Sequence, residues 1–232
     1  MKKAFTMLEL IFVIVVIGIL TSVIIPRTQT NSLEQAANQV IEHIRYTQHL
    51  AMIDDKYDAN SKDKFIWYRQ RWEMAFSTAN SSISYFIFSD SQSNANPDAS
   101  NKNDIEVAKD PLNKNLYLIG TEYQSFYIDS SDRINKKLNL KTTYGINYIK
   151  VSGGSSSTSK RILFDYLGRP YQGTTKSTSS TLINSPQDKI MNNDMYIKLC
   201  IDKCIGIASK KSNNKEILIK IEKETGYSYI FK

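Results

Sequence analysis

The chain has 232 residues, 41% of them hydrophobic, and a formal net charge of +7. That length holds one sizeable domain plus an anchor and argues against two full domains. The basic excess is mild; it fits a polyanionic partner, and it fits simple solubility, which is the reading taken.

Hydrophobicity is concentrated at the N-terminus. Lys2 and Lys3 precede an apolar run from Phe5 to Ile25, with Pro26 and Arg27 beyond it. The run is about the length that crosses a hydrocarbon core as a helix, and its positive flank predicts a cytoplasmic leader with the C-terminal bulk outside. A secretory signal peptide is the simpler reading, but no good small-x-small cleavage site follows the run. Glu9 lies inside it, where a carboxylate costs on the order of 2.5–3.5 kcal/mol on insertion scales and needs a reason to be present. Pro26 is read as a bend or as the helix end.

Beyond Pro26, Leu33, Ala36, Ala37, Val40, Ile41, Ile44 and Ala51 recur at three- and four-residue spacing. This predicts an amphipathic helix, capped by Asn31 or Ser32 and continuous with the first as one long stem. From Phe65 the period changes to two. Trp72, Met74 and Phe76 alternate, as do Ile83, Tyr85 and Ile87. Further strands are expected at 116–119, 125–129, 147–151, 161–166, 195–207, 216–221 and 227–231, giving an antiparallel sheet or sandwich. Polar, turn-rich stretches at 89–115, 153–159 and 172–189 are expected to be surface loops. The organisation read from this is a short basic N-terminal flank, a transmembrane helix at 5–26, an amphipathic stem at 27–54 and a periplasmic β-rich head at 55–232. The fold class is α+β, a long N-terminal helix packed on an antiparallel β-sheet head.

Chemistry-bearing motifs are few. Cys200 and Cys204, close together in a chain that reads as exported, are expected to form a local disulfide. His43 and His49 are far from that pair, so no metal and no cofactor is expected. Asp129-Ser-Ser-Asp132 lacks the ligands of a calcium loop and reads as a solvated turn. There is no phosphate-binding glycine loop and no nucleophile elbow, and a non-enzymatic role is expected. Lys210, Lys211, Lys215, Lys220 and Lys223 cluster near the C-terminus, as a solvated face or as DNA contacts.

The stretch Ala4-Phe5-Thr6-Met7-Leu8-Glu9-Leu10 resembles the cleavage motif of type IV prepilins. The resemblance implies cutting between Ala4 and Phe5 by a prepilin peptidase, N-methylation of Phe5, and pairing of Glu9 with the amine of a neighbouring subunit. The residue before the cut is usually Gly in that family and is Ala4 here. The resemblance also implies a prepilin leader at 1–4, a pilin-like fold, a single-pass inner-membrane location with a periplasmic head, and entry into a filament. The implied partners are the peptidase, other pilin or pseudopilin subunits, an inner-membrane assembly platform and membrane lipid. A second, weaker resemblance lies at Arg161-Ile-Leu-Phe-Asp-Tyr-Leu-Gly-Arg-Pro170 and Thr225-Gly226-Tyr227. These segments look like the strand and turn pattern of H-type minor pseudopilins and FimT-like minor pilins. The function expected is a minor pilin or pseudopilin of a type IV pilus, a type II secretion system or a DNA-uptake machine. The alternatives are a filament-borne DNA receptor and a membrane-anchored periplasmic domain unrelated to filaments.

Overall fold

The computed structural model describes residues 6–28, 32–57, 67–78, 82–91, 97, 106–120, 133–156, 158–173 and 185–231. Two helices lead: α1 over Met7–Thr28 and α2 over Ser32–Ile53. Eight strands follow: β1 Trp72–Ser77, β2 Ser84–Ser89, β3 Tyr148–Gly153, β4 Arg161–Phe164, β5 Pro170–Gln172, β6 Met195–Cys200, β7 Glu216–Ile221 and β8 Ser228–Phe231. A short helix, α3 (Leu140–Tyr144), precedes β3. It is capped by the Asn139 side chain and ended by Gly145 in the left-handed region.

The strands form two antiparallel four-stranded sheets, ordered β2-β1-β4-β5 and β3-β6-β7-β8. Helix α2 lies against β1 and β4 of the first and against β6, β7 and β8 of the second. Its buried stripe is Leu33, Ala36, Ala37, Val40, Ile41, Ile44, Thr47 and Ala51, so every apolar position expected to face a sheet does so. Met74, level with Ile87 and Ile162, faces it from the first sheet. From the second comes a row of β-branched residues, Val151, Ile197, Ile219 and Ile230, in mutual register. A smaller cluster on the other face of the first sheet joins Ala75, Phe86 and Phe88 to Val107, Ile119 and Ile134.

Three expectations need correction. The first concerns the helix. The stem expected as one long, half-transmembrane helix is described as α1 and α2, and residues 29–31, on which its continuity and an Asn31 cap depend, lie outside the described residues. Among the described residues no helix is long and apolar enough to cross a membrane. The described apolar side chains run from Met7 to Leu20, about 21 Å at about 1.5 Å per residue, against a hydrocarbon core of about 30 Å. The pilin-like fold class with its transmembrane half is therefore overturned, and the single-pass inner-membrane placement falls with it. Nor does the helix end at Pro26, since α1 continues to Thr28.

The second concerns strand limits. The strand expected at 195–207 stops at Cys200, and 116–119 forms only isolated bridges through Tyr117 and Ile119. Third, the supposed loop at 89–115 returns to the core, burying Val107 and Ala108. The strand expected at 125–129 and the Asp129–Asp132 turn lie outside the described residues. Strand β5 was not anticipated. It is an edge strand of three residues beginning with Pro170, a position where a missing N–H costs no ladder bond.

Candidate functional site

The first turn of α1 is closed by a reciprocal pair. The Thr6 backbone N–H and hydroxyl donate to Glu9 Oε2 at 2.9 and 2.8 Å, and the Glu9 N–H donates to Thr6 Oγ1 at 3.3 Å. This is a capping box, in which Glu9 satisfies a donor that the helix cannot. The pattern Thr-x-x-Glu ahead of an apolar run is legible in the sequence, and it supplies a local reason for the carboxylate that the reading above did not consider. The expected cleavage residues Ala4 and Phe5 lie outside the described residues. From Met7 to Leu20 the large apolar side chains are exposed all round the helix, from 37% at Val16 to 83% at Met7. A helix apolar on every side requires a cover.

Helix α2 is hooked to two glycine turns. Gln48 Nε2 donates at 2.7 Å to the carbonyls of both Gly168 and Thr225. Arg45 Nη2 donates at 2.7 Å to the Ser228 carbonyl, and its guanidinium stacks 5.1 Å from the Tyr227 ring. The first turn is organised by buried Asp165. Its Oδ1 accepts from the Leu167 and Arg169 N–H groups, and its Oδ2 accepts from Arg169 Nε and the Tyr171 hydroxyl. The residues that carried the second family resemblance thus bring the β4–β5 and β7–β8 turns together against one helix.

His43 ties α2 to β2. Gln39 Nε2 donates to the Tyr85 hydroxyl at 2.7 Å, and that hydroxyl shares a second hydrogen bond with His43 Nδ1 at 2.6 Å. Burial lowers the His43 pKa to about 4, and Asp110 only partly offsets this. Beside the pair lies a cleft of about 670 Å³ between α2 and residues 110–116 and 135–144. His49 does not join His43, and among the described residues no group of three or more His, Cys, Asp or Glu side chains is placed to hold a metal.

The five C-terminal lysines lie on different elements, and three of them stand beside carboxylates. Lys215 precedes β7 and pairs with Asp202 at 2.7 Å. Lys220, within β7, pairs with Asp194 at 2.9 Å, and Lys223, beyond the strand, lies 3.5 Å from Glu224. Lys210 and Lys211 stand exposed in the loop before Lys215. That loop folds back over the outer face of the second sheet. Cys200 and Cys204 are joined in a disulfide, with Cα atoms 5.5 Å apart.

Behind the disulfide, Lys198 and Glu216 form a fully buried ion pair at 3.1 Å. Lys198 Nζ also donates to the Ile205 carbonyl, and Glu216 accepts from the Ile205 and Ser212 N–H groups. Burial raises the Glu216 pKa, but these backbone donors and Lys198 outweigh it, so the net shift is downward. Sequence reasoning missed this pair, because its partners are far apart along the chain and meet only through strand register.

Comparison with protein families, with characterised proteins and with solved structures finds no match.

Proposed function

We infer that the chain is a structural subunit of a filament, a minor pilin or pseudopilin cut between Ala4 and Phe5 and assembled through α1. The observation that carries this reading is the apolar helix exposed on every side, with a carboxylate in its first turn and the Ala4-Phe5 motif just ahead of it. Cover for such a helix comes most simply from copies of itself, packed side by side. An unpaired carboxylate inside that bundle would be costly, so pairing Glu9 with a neighbour's new amine sets register more than it adds stability. The reading rests on helix packing and requires no membrane span. DNA reception has less support, since three of the five C-terminal lysines lie beside carboxylates.

The first test is the N-terminus of protein made together with an active prepilin peptidase. A start at Phe5 with a methylated amine is expected by intact mass and terminal peptide sequencing, and an uncut Met1 would overturn the reading. Glu9→Gln separates the two roles of this side chain. Gln keeps the capping box and removes the charge, so the helix should start normally while filament incorporation is lost. Normal incorporation of the Gln variant would sink the pairing role.

A further inference from the structure

At the seam between the two sheets lies a second cleft of about 670 Å³, within the size range of small-ligand sites. Lysines from three separate segments converge on it. Lys141 comes from α3, Lys160 from the residue before β4, and Lys203 from inside the disulfide-closed loop. The Lys160 ammonium rests on a neutral partner, the Thr78 hydroxyl, at 3.3 Å. Among the described residues no carboxylate lies within ion-pair distance of Lys160 or Lys203. The one carboxylate on the wall, Asp202, is neutralised from outside by Lys215 at 2.7 Å. The cleft is therefore cationic on balance.

Its geometry is fixed by covalent and hydrogen bonds. The Cys200–Cys204 bond closes the loop that carries Lys203. Asn147 secures the same loop to the start of β3: its N–H donates to the Cys200 carbonyl at 3.0 Å and its side-chain amide to the Ile201 carbonyl at 2.8 Å. At the mouth stands the Tyr148 ring, 48% exposed.

We propose that this cleft binds a small ligand carrying two or three linked phosphate groups, with Lys160 and Lys203 as its principal contacts and the disulfide holding Lys203 in place. Compact ammonium groups suit phosphate oxygens as point charges. Two of them on one cleft, Lys160 and Lys203, suit clustered charge better than a single carboxylate. The shared chemistry, linked phosphates, occurs in free condensed phosphate and in nucleoside polyphosphates, and Tyr148 distinguishes the two sources.

The experiment is titration calorimetry of the full chain with inorganic tripolyphosphate and, separately, with adenosine triphosphate. Saturable one-to-one binding of tripolyphosphate is expected. Lys160→Gln and Lys203→Gln should each weaken it by about tenfold or more, while Lys160→Arg retains it, in line with loss of one charge-assisted contact. Reducing the disulfide should weaken it as well. Tighter binding of the nucleotide, with the excess abolished in Tyr148→Ala, assigns a nucleoside polyphosphate; equal binding of the two assigns the phosphate chain alone. Lys203 is exposed and Lys160 half-buried, and the thermal midpoint of each variant shows that it is folded. Absence of saturable binding would overturn the proposal. So would binding indifferent to both Gln variants, or binding confined to long nucleic acids.

Discussion

Gly168 and Gly226 sit at φ of +77° and +70°, where a side chain is strained whatever space surrounds it. A Cβ on Gly226 would also lie 2.8 Å from the Phe164 ring and 3.0 Å from Gln48 Nε2. Gly226→Ala is expected to destabilise the fold by more than about 1 kcal/mol, read as a fall in denaturation midpoint, because backbone strain and the Gln48 clamp are lost together. Two buried titrating groups give opposite pH signatures. Burial raises the Glu73 pKa to about 8, Arg161 at 3.0 Å opposes this, and Asp90 adds to it. Its contribution is fully present below the ordinary carboxylate pKa and is lost as pH rises through about 8. His43, lowered to about 4, contributes above pH 6.5 and loses that contribution as pH falls toward 4, on the order of 3 kcal/mol in all. Measured by urea denaturation from pH 4 to 9, Glu73→Gln should therefore remove a fall in stability between about pH 4.5 and 8, and His43→Gln should remove a rise between about pH 4 and 6.5. A residue whose partner is near in sequence, such as Glu9 with Thr6, was legible from spacing. Glu73 was not, since Arg161 reaches it only through β1–β4 register.

Helix α2 was the most legible element, because a stripe at helical spacing states both the conformation and the buried face. Ile44, fully buried on that stripe, should cost about 2–5 kcal/mol when cut to Ala, with near-native secondary structure by circular dichroism. Strands with β-branched or aromatic residues on a two-residue period, β1, β2, β6 and β7, were legible for the same reason. Their ends were less so. The segment after Cys200 alternates like a strand, yet an extended path over four residues spans about 13 Å, and the two cysteines are 5.5 Å apart. The disulfide and a strand continuing to 207 were incompatible expectations, and the covalent constraint wins. The apolar run of α1 was legible as a helix, but hydropathy alone does not say what covers it.

For the molecule as a whole, the disulfide is local reinforcement rather than a framework. Closing so short a loop contributes about 2 kcal/mol in the chain-entropy view. Reduction is expected to lower the denaturation midpoint modestly and leave both sheets intact, checked by hydrogen exchange of the β6 and β7 amides. The two-sheet arrangement was only partly legible, because strand patterns do not say which strands pair. What holds the sheets in one body is α2, and its partners are spread along the chain. Met74 comes soon after it, whereas the Thr225 and Ser228 carbonyls that receive Gln48 and Arg45 lie 177 and 183 positions downstream. A ribosome therefore releases the helix long before it releases the strand that completes its packing. Throughout that interval the stripe from Leu33 to Ile44 has only half its shelter, and closing so long a loop is slow. Closure of this core thus waits until β8 has been made, and the nascent helix is the segment that a holding chaperone would have to guard.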